Sequence, residues 1–185
     1  VSAAWSRDGK FIAFLDQNGA LHTVEVATGA TRQVFGAIWE PGKPSWSPDG
    51  KTLALAAFKP YSARFREGLS EILTVDVATG AASYQPVFPH KSLGTRGVDG
   101  PVWSPDGTKL AFVFASLLHV APVDAKGRLT GVPKEFNAEV TDAPTWSGDS
   151  ATLLYLSAGK LRLIGAEGGT PRTVKTALTW ANARP

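Results

Sequence analysis

Val102-Trp103-Ser104-Pro105-Asp106-Gly107-Thr108-Lys109-Leu110-Ala111-Phe112 is the stretch that decides the fold. A short apolar piece ends in Trp-Ser. A Pro-Asp-Gly corner follows, where proline presets φ and glycine takes a positive φ at no steric cost. An apolar stretch then leaves the corner. This is the grammar of two strands joined by a tight turn. It recurs three times: Ala4-Trp5-Ser6-Arg7-Asp8-Gly9-Lys10-Phe11-Ile12-Ala13-Phe14, Ser45-Trp46-Ser47-Pro48-Asp49-Gly50-Lys51-Thr52-Leu53-Ala54-Leu55, and Thr145-Trp146-Ser147-Gly148-Asp149-Ser150-Ala151-Thr152-Leu153-Leu154-Tyr155. The tryptophans stand 41, 57 and 43 residues apart. A period of about 40 to 45 residues is that of a propeller blade.

Each unit continues in the same way. A third strand is expected at residues 21–26, 72–77, 117–123 and 160–164, and a more polar fourth strand at 31–35, 82–87, 131–136 and 171–174. In the first two units, Ala27-Thr28-Gly29 and Ala78-Thr79-Gly80 supply the turn between them. Four antiparallel strands joined by tight turns make one blade, and a blade must stack on its neighbours to cover its faces. The sequence predicts an all-β chain forming a single β-propeller segment, with blades at residues 1–40, 41–97, 98–140 and 141–176. Residues 177–185 read as the start of a further strand. Every repeat tryptophan is expected between blades. In the fourth unit Gly148 and Ser150 stand where the others have proline or arginine and glycine, which predicts a looser turn. Four blades are the minimum for a propeller, so an open arc or incomplete ring is expected.

The composition agrees. Of 185 residues, 43% are hydrophobic and 19% charged, which is globular rather than disordered. The 19 glycines and 13 prolines imply many turns, hence many short strands. The net charge of +3 is spread along the chain, without the basic run that tracks a phosphate backbone, so nucleic-acid binding is not expected. No cysteine is present, which excludes disulfides and thiolate metal sites. No apolar run is long enough to span a membrane as a helix. The longest, residues 110–123, is broken by Ser116 and His119 and reads as two strands with a tight turn. The chain lacks methionine and a signal peptide, so it is expected to be a processed product or a piece of a longer polypeptide.

No catalytic constellation emerges. Gly50-Lys51-Thr52 echoes a phosphate-binding loop, but the glycine that loop requires is Ser45. Gly68-Leu69-Ser70-Glu71-Ile72 lacks the closing glycine of a nucleophile elbow. His22 and His119 occupy one repeat position, equivalent to Leu73, and read as packed or edge side chains; with His90 they complete the histidines. The turn aspartates Asp8, Asp49, Asp106 and Asp149 recur singly, far short of the roughly six to eight oxygens calcium takes. No metal and no cofactor is expected.

Strand direction places a candidate site. Connections in an antiparallel blade alternate between its two ends. The Pro-Asp-Gly and Thr-Gly turns share one end. The loops from second to third strand, and from blade to blade, share the other. Both long insertions, residues 59–70 and 89–100, fall at that second end. They bring Lys59, Tyr61, Arg64, Phe65, Arg66, Glu67, His90, Lys91, Arg96 and Asp99 to one place. Arginines, aromatics and two carboxylates suit a protein or domain interface, or an anionic ligand. The plainer alternative is tolerated loops, with Arg66 or Arg96 paired to Glu67 or Asp99.

The repeated Trp-Ser-Pro-Asp-Gly-(Lys/Thr)-x-Leu-Ala-(Phe/Leu) resembles the WD-like repeats of TolB-type propellers, and the resemblance covers all four units. A narrower one rests on Arg64-Phe65-Arg66-Glu67-Gly68, on residues 96–103, and on Leu178-Thr179-Trp180. These are similar to the propeller region of large secreted amidohydrolases, in which a metal-dependent catalytic barrel follows. The resemblances imply a periplasmic or secreted protein. Two functions follow: a non-catalytic scaffold that binds another protein or an adjacent domain, or the propeller part of a hydrolase whose chemistry lies elsewhere. An unclosed arc also exposes two blade faces, from which self-association is expected.

Overall fold

The structure is a computed structural model and describes residues 2–62 and 67–175. Among them there is no helix, and all sixteen strands fall into four antiparallel sheets. Blade 1 contains β1 (Ala3–Trp5), β2 (Phe11–Leu15), β3 (Ala20–Glu25) and β4 (Thr31–Ala37). Blade 2 contains β5 (Ser45–Trp46), β6 (Thr52–Pro60), β7 (Gly68–Asp76) and β8 (Ala82–Gln85). Blade 3 contains β9 (Val102–Trp103), β10 (Lys109–Phe114), β11 (Leu117–Pro122) and β12 (Lys134–Glu135). Blade 4 contains β13 (Asp142–Trp146), β14 (Thr152–Ser157), β15 (Lys160–Gly165) and β16 (Gly168–Thr173). Within each sheet the strands lie in sequence order. The first strands β1, β5, β9 and β13 meet one another along the axis. The result is an open arc of four propeller blades, with no closed ring among the described residues.

The recurrent Ser-x-Asp turn explains itself in hydrogen bonds. Ser104 Oγ donates to Asp106 Oδ1 at 2.6 Å and accepts from Lys109 N at 2.9 Å. Asp106 Oδ1 in turn accepts from Thr108 N at 3.0 Å. The same three bonds recur around Ser6/Asp8, Ser47/Asp49 and Ser147/Asp149. The fourth turn is therefore not looser, contrary to expectation. Ser150 takes glycine's positive φ of 62° and its hydroxyl accepts from Asp106 N at 2.9 Å, which offsets the left-handed conformation. Two residues of positive φ, Ala115 and Ser116, make the tight β10–β11 hairpin of residues 110–123.

These bonds carry a pH dependence. All four turn carboxylates lie below their ordinary value of 3.8. In Asp8 and Asp149 the chief cause is the serine hydroxyl two residues earlier. In Asp49 and Asp106 burial pushes upward, and the serine hydroxyl with the backbone N–H outweighs it. A depressed folded value means the stabilisation is complete above the unfolded carboxylate range and lost as pH falls through the folded one. The thermal midpoint is expected to fall steeply below about pH 4, and Asp106→Asn is expected to flatten that fall. An acid limb identical in the two proteins would show that the turn carboxylate is not coupled to folding.

Three apolar clusters fill the three gaps between consecutive blades. Ala13, Leu15 and Leu21 of blade 1 meet Trp46, Leu53, Leu55 and Leu73 of blade 2. Ala54, Ala56 and Ile72 of blade 2 meet Trp103, Leu110 and Phe112 of blade 3. Ala111, Leu118 and Val120 of blade 3 meet Leu153, Tyr155 and Ile164 of blade 4. The tryptophans do not behave alike, as the repeat had suggested they would. Trp46 and Trp103 are buried, Trp146 is half-buried, and Trp5 is 62% exposed. Trp46, Trp103 and Trp146 pack backwards onto the preceding blade, and two of them bond to it: Trp46 Nε1 donates to Ala4 O at 3.0 Å, and Trp146 Nε1 to Val102 O at 3.1 Å. Among the described residues no blade precedes Trp5. The strand reading at residues 177–185 lies outside the described residues.

His22 and His119 share one position, as the repeat implied. Each faces a phenylalanine across the hairpin, Phe14 at 5.3 Å and Phe112 at 5.9 Å between ring centroids, nearly parallel in both cases. His119 is buried, with Phe88 and Phe114 edge-on around it. These are packed histidines.

Candidate functional site: the loop-bearing end and the channel

The two long insertions meet at one end of the arc. Leu93 N donates to Ser70 O at 2.8 Å, and Ser70 N donates to Ser92 Oγ at 2.8 Å, so the link between blades 2 and 3 lies on the start of β7. The first insertion is mostly not a loop. β6 and β7 pair as far as Lys59↔Leu69 and Pro60↔Gly68, leaving a tip at residues 61–67. Two strands of nine residues take up most of the extra length, because continued pairing satisfies backbone groups that a loop would leave to water. Tyr61 N donates to Glu67 O at 2.8 Å across the tip. Arg64, Phe65 and Arg66 lie outside the described residues.

The remaining candidates divide into surface and support. Tyr61, Glu67, His90 and Lys91 are exposed. Lys59 Nζ reaches the buried Glu71 carboxylate at 3.3 Å and stands 6.0 Å from the Tyr84 ring centroid. Burial, with the Glu71 charge beside it, pushes the Tyr84 phenol above its ordinary value. Asp99 is only 3% exposed and is held by Arg96 through two bonds of 3.0 Å. Arg96 also donates to Asp142 at 2.9 Å, tying the link between blades 2 and 3 to the start of β13 in blade 4. The carboxylates beside it raise the Arg96 guanidinium, Asp99 being the chief cause. Arg96 and Asp99 thus brace the end rather than present free charge, as the plainer alternative held for this pair.

Sequence reasoning missed the apolar part of this end. Each of the three blade-to-blade links exposes one large apolar side chain: Trp39 at 43%, Val98 at 51% and Val140 at 60%, while Tyr61 is 67% exposed. Trp39 packs edge-on to Phe58 at 5.2 Å. A signal existed, since links are expected to be polar.

It also missed the axial channel. A cavity of about 650 Å³ is bounded by the first strands of all four blades and the links leading into them. Trp5, Trp46, Trp103, Val98 and five prolines contribute to its wall. Its only charged lining side chains among the described residues are Arg7 and Lys43, both basic. Arg7 crosses from blade 1 to donate to Pro105 O of blade 3 at 2.6 Å. Among the described residues no group of three His, Asp or Glu side chains stands close enough to hold a metal ion.

Four-stranded blades, stacked through recurrent core tryptophans around a channel, define a β-propeller module. Structural relatives name the type. TolB from Acinetobacter baumannii superposes with a TM-score of 0.72 at 20% identity, over 94% of this chain and 42% of that one. A putative TolB from Agrobacterium tumefaciens gives 0.69 at 18% identity, over 95% and 61%. An oligogalacturonate lyase solved in complex with manganese gives 0.66 at 16% identity, over 97% and 54%. Among curated sequences, "Tol-Pal system protein TolB" of Francisella tularensis subsp. mediasiatica strain FSC147 is 37% identical over 65 residues, or 34% of this chain and 15% of that protein. The same protein of subsp. holarctica strain LVS matches equally. No protein-family model matches. The fold is that of a TolB-like β-propeller, and the chain spans less than half of the Acinetobacter protein and a small part of the curated relatives it matches.

Proposed function

We propose that this chain is a non-catalytic binding module that holds a protein partner, or an adjacent domain, on its loop-bearing end around the mouth of the channel. The observation that carries the reading is the set Trp39, Tyr61, Val98 and Val140. All four are exposed, all stand at one end, and they come from four separate connections. Soluble surfaces rarely gather large apolar side chains without a use for them, and aromatic residues are enriched at protein interfaces. Glu67 and His90 belong to the same connections and would form the rim. A periplasmic or extracellular setting goes with this reading, because the sequence resemblance to exported propellers implies it.

The test compares the two ends. A photo-crosslinker placed at residue 61 identifies the partner, and the purified pair is then titrated. Tyr61→Ala with Val98→Ala is expected to weaken binding at least tenfold, in keeping with about 1–2 kcal/mol for each anchoring aromatic or apolar side chain removed. Lys126→Ala with Arg128→Ala, at the opposite end, is expected to leave it unchanged. Weaker binding by the second pair and not the first means the partner sits at the turn-bearing end.

The second reading, a propeller region of a metal-dependent amidohydrolase, rests on the residues of the narrower resemblance quoted above. It supposes an adjacent domain as the partner. A parent sequence carrying a strand and then His-x-His beyond residue 185 would support it.

A further inference from the structure

Asn18-Gly19 is the one Asn-Gly pair in the chain. An asparagine amide is open to attack by the backbone nitrogen of the next residue, and glycine hinders that attack least because it has no Cβ. The pair stands at the tip of the β2–β3 hairpin, at the loop-bearing end, and Asn18 is exposed. Glycine cannot be exchanged there. Gly19 has a φ of 78°, and a Cβ on it would come within 2.1 Å of Ile38 O, in the link between blades 1 and 2. Asp16 holds the turn: its Oδ1 accepts from Asn18 N at 2.8 Å and from Ala20 N at 2.9 Å. Neither bond uses the Asn18 side-chain amide. Gly19 N, the attacking atom, donates to Asp16 O at 3.1 Å, a bond at an exposed tip, where local opening costs least.

The other places for the same ring closure are held back. Asn137 precedes alanine and is buried, with Oδ1 accepting from Leu118 N at 3.0 Å and Nδ2 donating to Thr141 Oγ1 at 2.6 Å. Asn182 also precedes alanine. The Asp-Gly pairs react by the same route only as uncharged carboxyls, because a carboxylate oxygen is a poor leaving group. Asp8, Asp49 and Asp106 lie below their ordinary value, held there by the serine hydroxyl and backbone N–H of their turns, and Asp99 is tied to Arg96 through two bonds. The Asn18 tip also touches the link that carries Trp39. Gly19 O accepts from Ile38 N at 3.1 Å, and Trp39 follows Ile38. Asp16, Asn18, Trp39 and Glu40 line one cavity of about 320 Å³.

We propose that Asn18 is a self-modifying site, and that its conversion to isoaspartate displaces the link bearing Trp39. Gly19 N gives up its proton and attacks Asn18 Cγ. The new N–Cγ bond forms, the Cγ–Nδ2 bond breaks, and ammonia leaves with the proton, giving a five-membered succinimide. Water then adds across one of the two bonds from that nitrogen. Cleavage at Cγ gives aspartate, and cleavage at the main-chain carbon gives isoaspartate, whose backbone runs through the side chain. Either product adds a carboxylate to the cavity that Asp16 and Glu40 already line. Isoaspartate also lengthens the main chain by one carbon beside Gly19, where the Ile38 carbonyl leaves no room for a Cβ. The bond from Ile38 N to Gly19 O is lost, and Trp39 moves with Ile38. The consequence for partner binding rests on the reading above; the modification itself does not.

The experiment ages the purified chain in warm, mildly alkaline buffer and follows it by tryptic peptide mass and by amide hydrogen exchange. The peptide of residues 11–32 is expected to gain the mass of NH replaced by O and to split into two chromatographic peaks. Fresh Asn18→Asp protein marks the aspartate peak, so the other is isoaspartate. The peptide of residues 135–160, which carries Asn137, is expected to stay unchanged. In the isoaspartate form the Ile38 amide is expected to lose protection about tenfold, as for one lost backbone bond. The Leu93 amide, bonded to Ser70 O, is expected to keep its protection. Asn18→Asp is expected to keep the Ile38 protection too, because its backbone is no longer than before. A synthetic peptide of residues 11–32 reports the reactivity of the pair outside the fold. An aged protein that gains no mass at residues 11–32 while the free peptide converts would overturn the site. An isoaspartate form with Ile38 still protected would overturn the displacement. Neither readout needs a partner, so a failure here leaves the binding reading untouched.

Discussion

Trp46→Ala and Trp103→Ala are each expected to lower stability by about 3–5 kcal/mol, the usual result of emptying a large buried aromatic site. Both side chains sit between blades, 7% and 5% exposed, and Trp46 also loses its indole hydrogen bond to Ala4. For a domain of this size that is a fall of about 6–20 °C in thermal midpoint. Trp5→Ala is expected to change the midpoint little, within about 0.5 kcal/mol, because its side chain already faces solvent. The comparison matters more than any single value. The three residues share one repeat position, so a sequence argument alone would assign them equal effects. Equal effects would mean that Trp5 is covered in solution. A midpoint untouched by Trp103→Ala would break the repeat alignment itself.

Arg96→Ala is expected to lower the unfolding midpoint, because it leaves the buried Asp99 carboxylate without its guanidinium donor. The guanidinium is 60% exposed, so water replaces part of what it supplied, and the full penalty of a buried pair does not apply. Asp99 nevertheless stays inside, and the tie to Asp142 at the start of blade 4 goes too. Arg96→Lys keeps the charge without the two-pronged geometry and is expected to fall between. Urea denaturation reads the effect. If Arg96 instead touches the partner directly, binding would drop while the unfolding midpoint stayed in place.

The fold was open to reading because its signals are local and repeated. Trp-Ser-Pro-Asp-Gly specifies a corner through φ preferences and short-range hydrogen bonds, and four such corners in tandem leave little but stacked blades. Strand alternation then fixes which connections share an end. That is why the two insertions could be placed together before their contacts, Ser70 to Ser92 and Ser70 to Leu93, were known. The candidate site was only half visible. Charged residues drew attention, yet Asp99 turned inward and Arg96 followed it, while the apolar Trp39, Val98 and Val140 went unread. Exposure at a link depends on what packs beside it, and no periodic pattern encodes that.

By itself the sequence determined the blade: its four strands, the place of its turns, the equivalence of His22 with His119, and the end on which long loops must lie. Those follow from backbone preferences acting over a few residues and from the two-residue period of a strand. Tertiary structure alone decided how burial is shared among equivalent positions. Trp5 and Trp103 hold one place in the repeat, and Leu156 and Val113, each paired with the second residue of the following strand, hold another, yet each pair is split between solvent and core. Burial is a property of the neighbouring blade, and a blade's neighbour is set by its place in the arc.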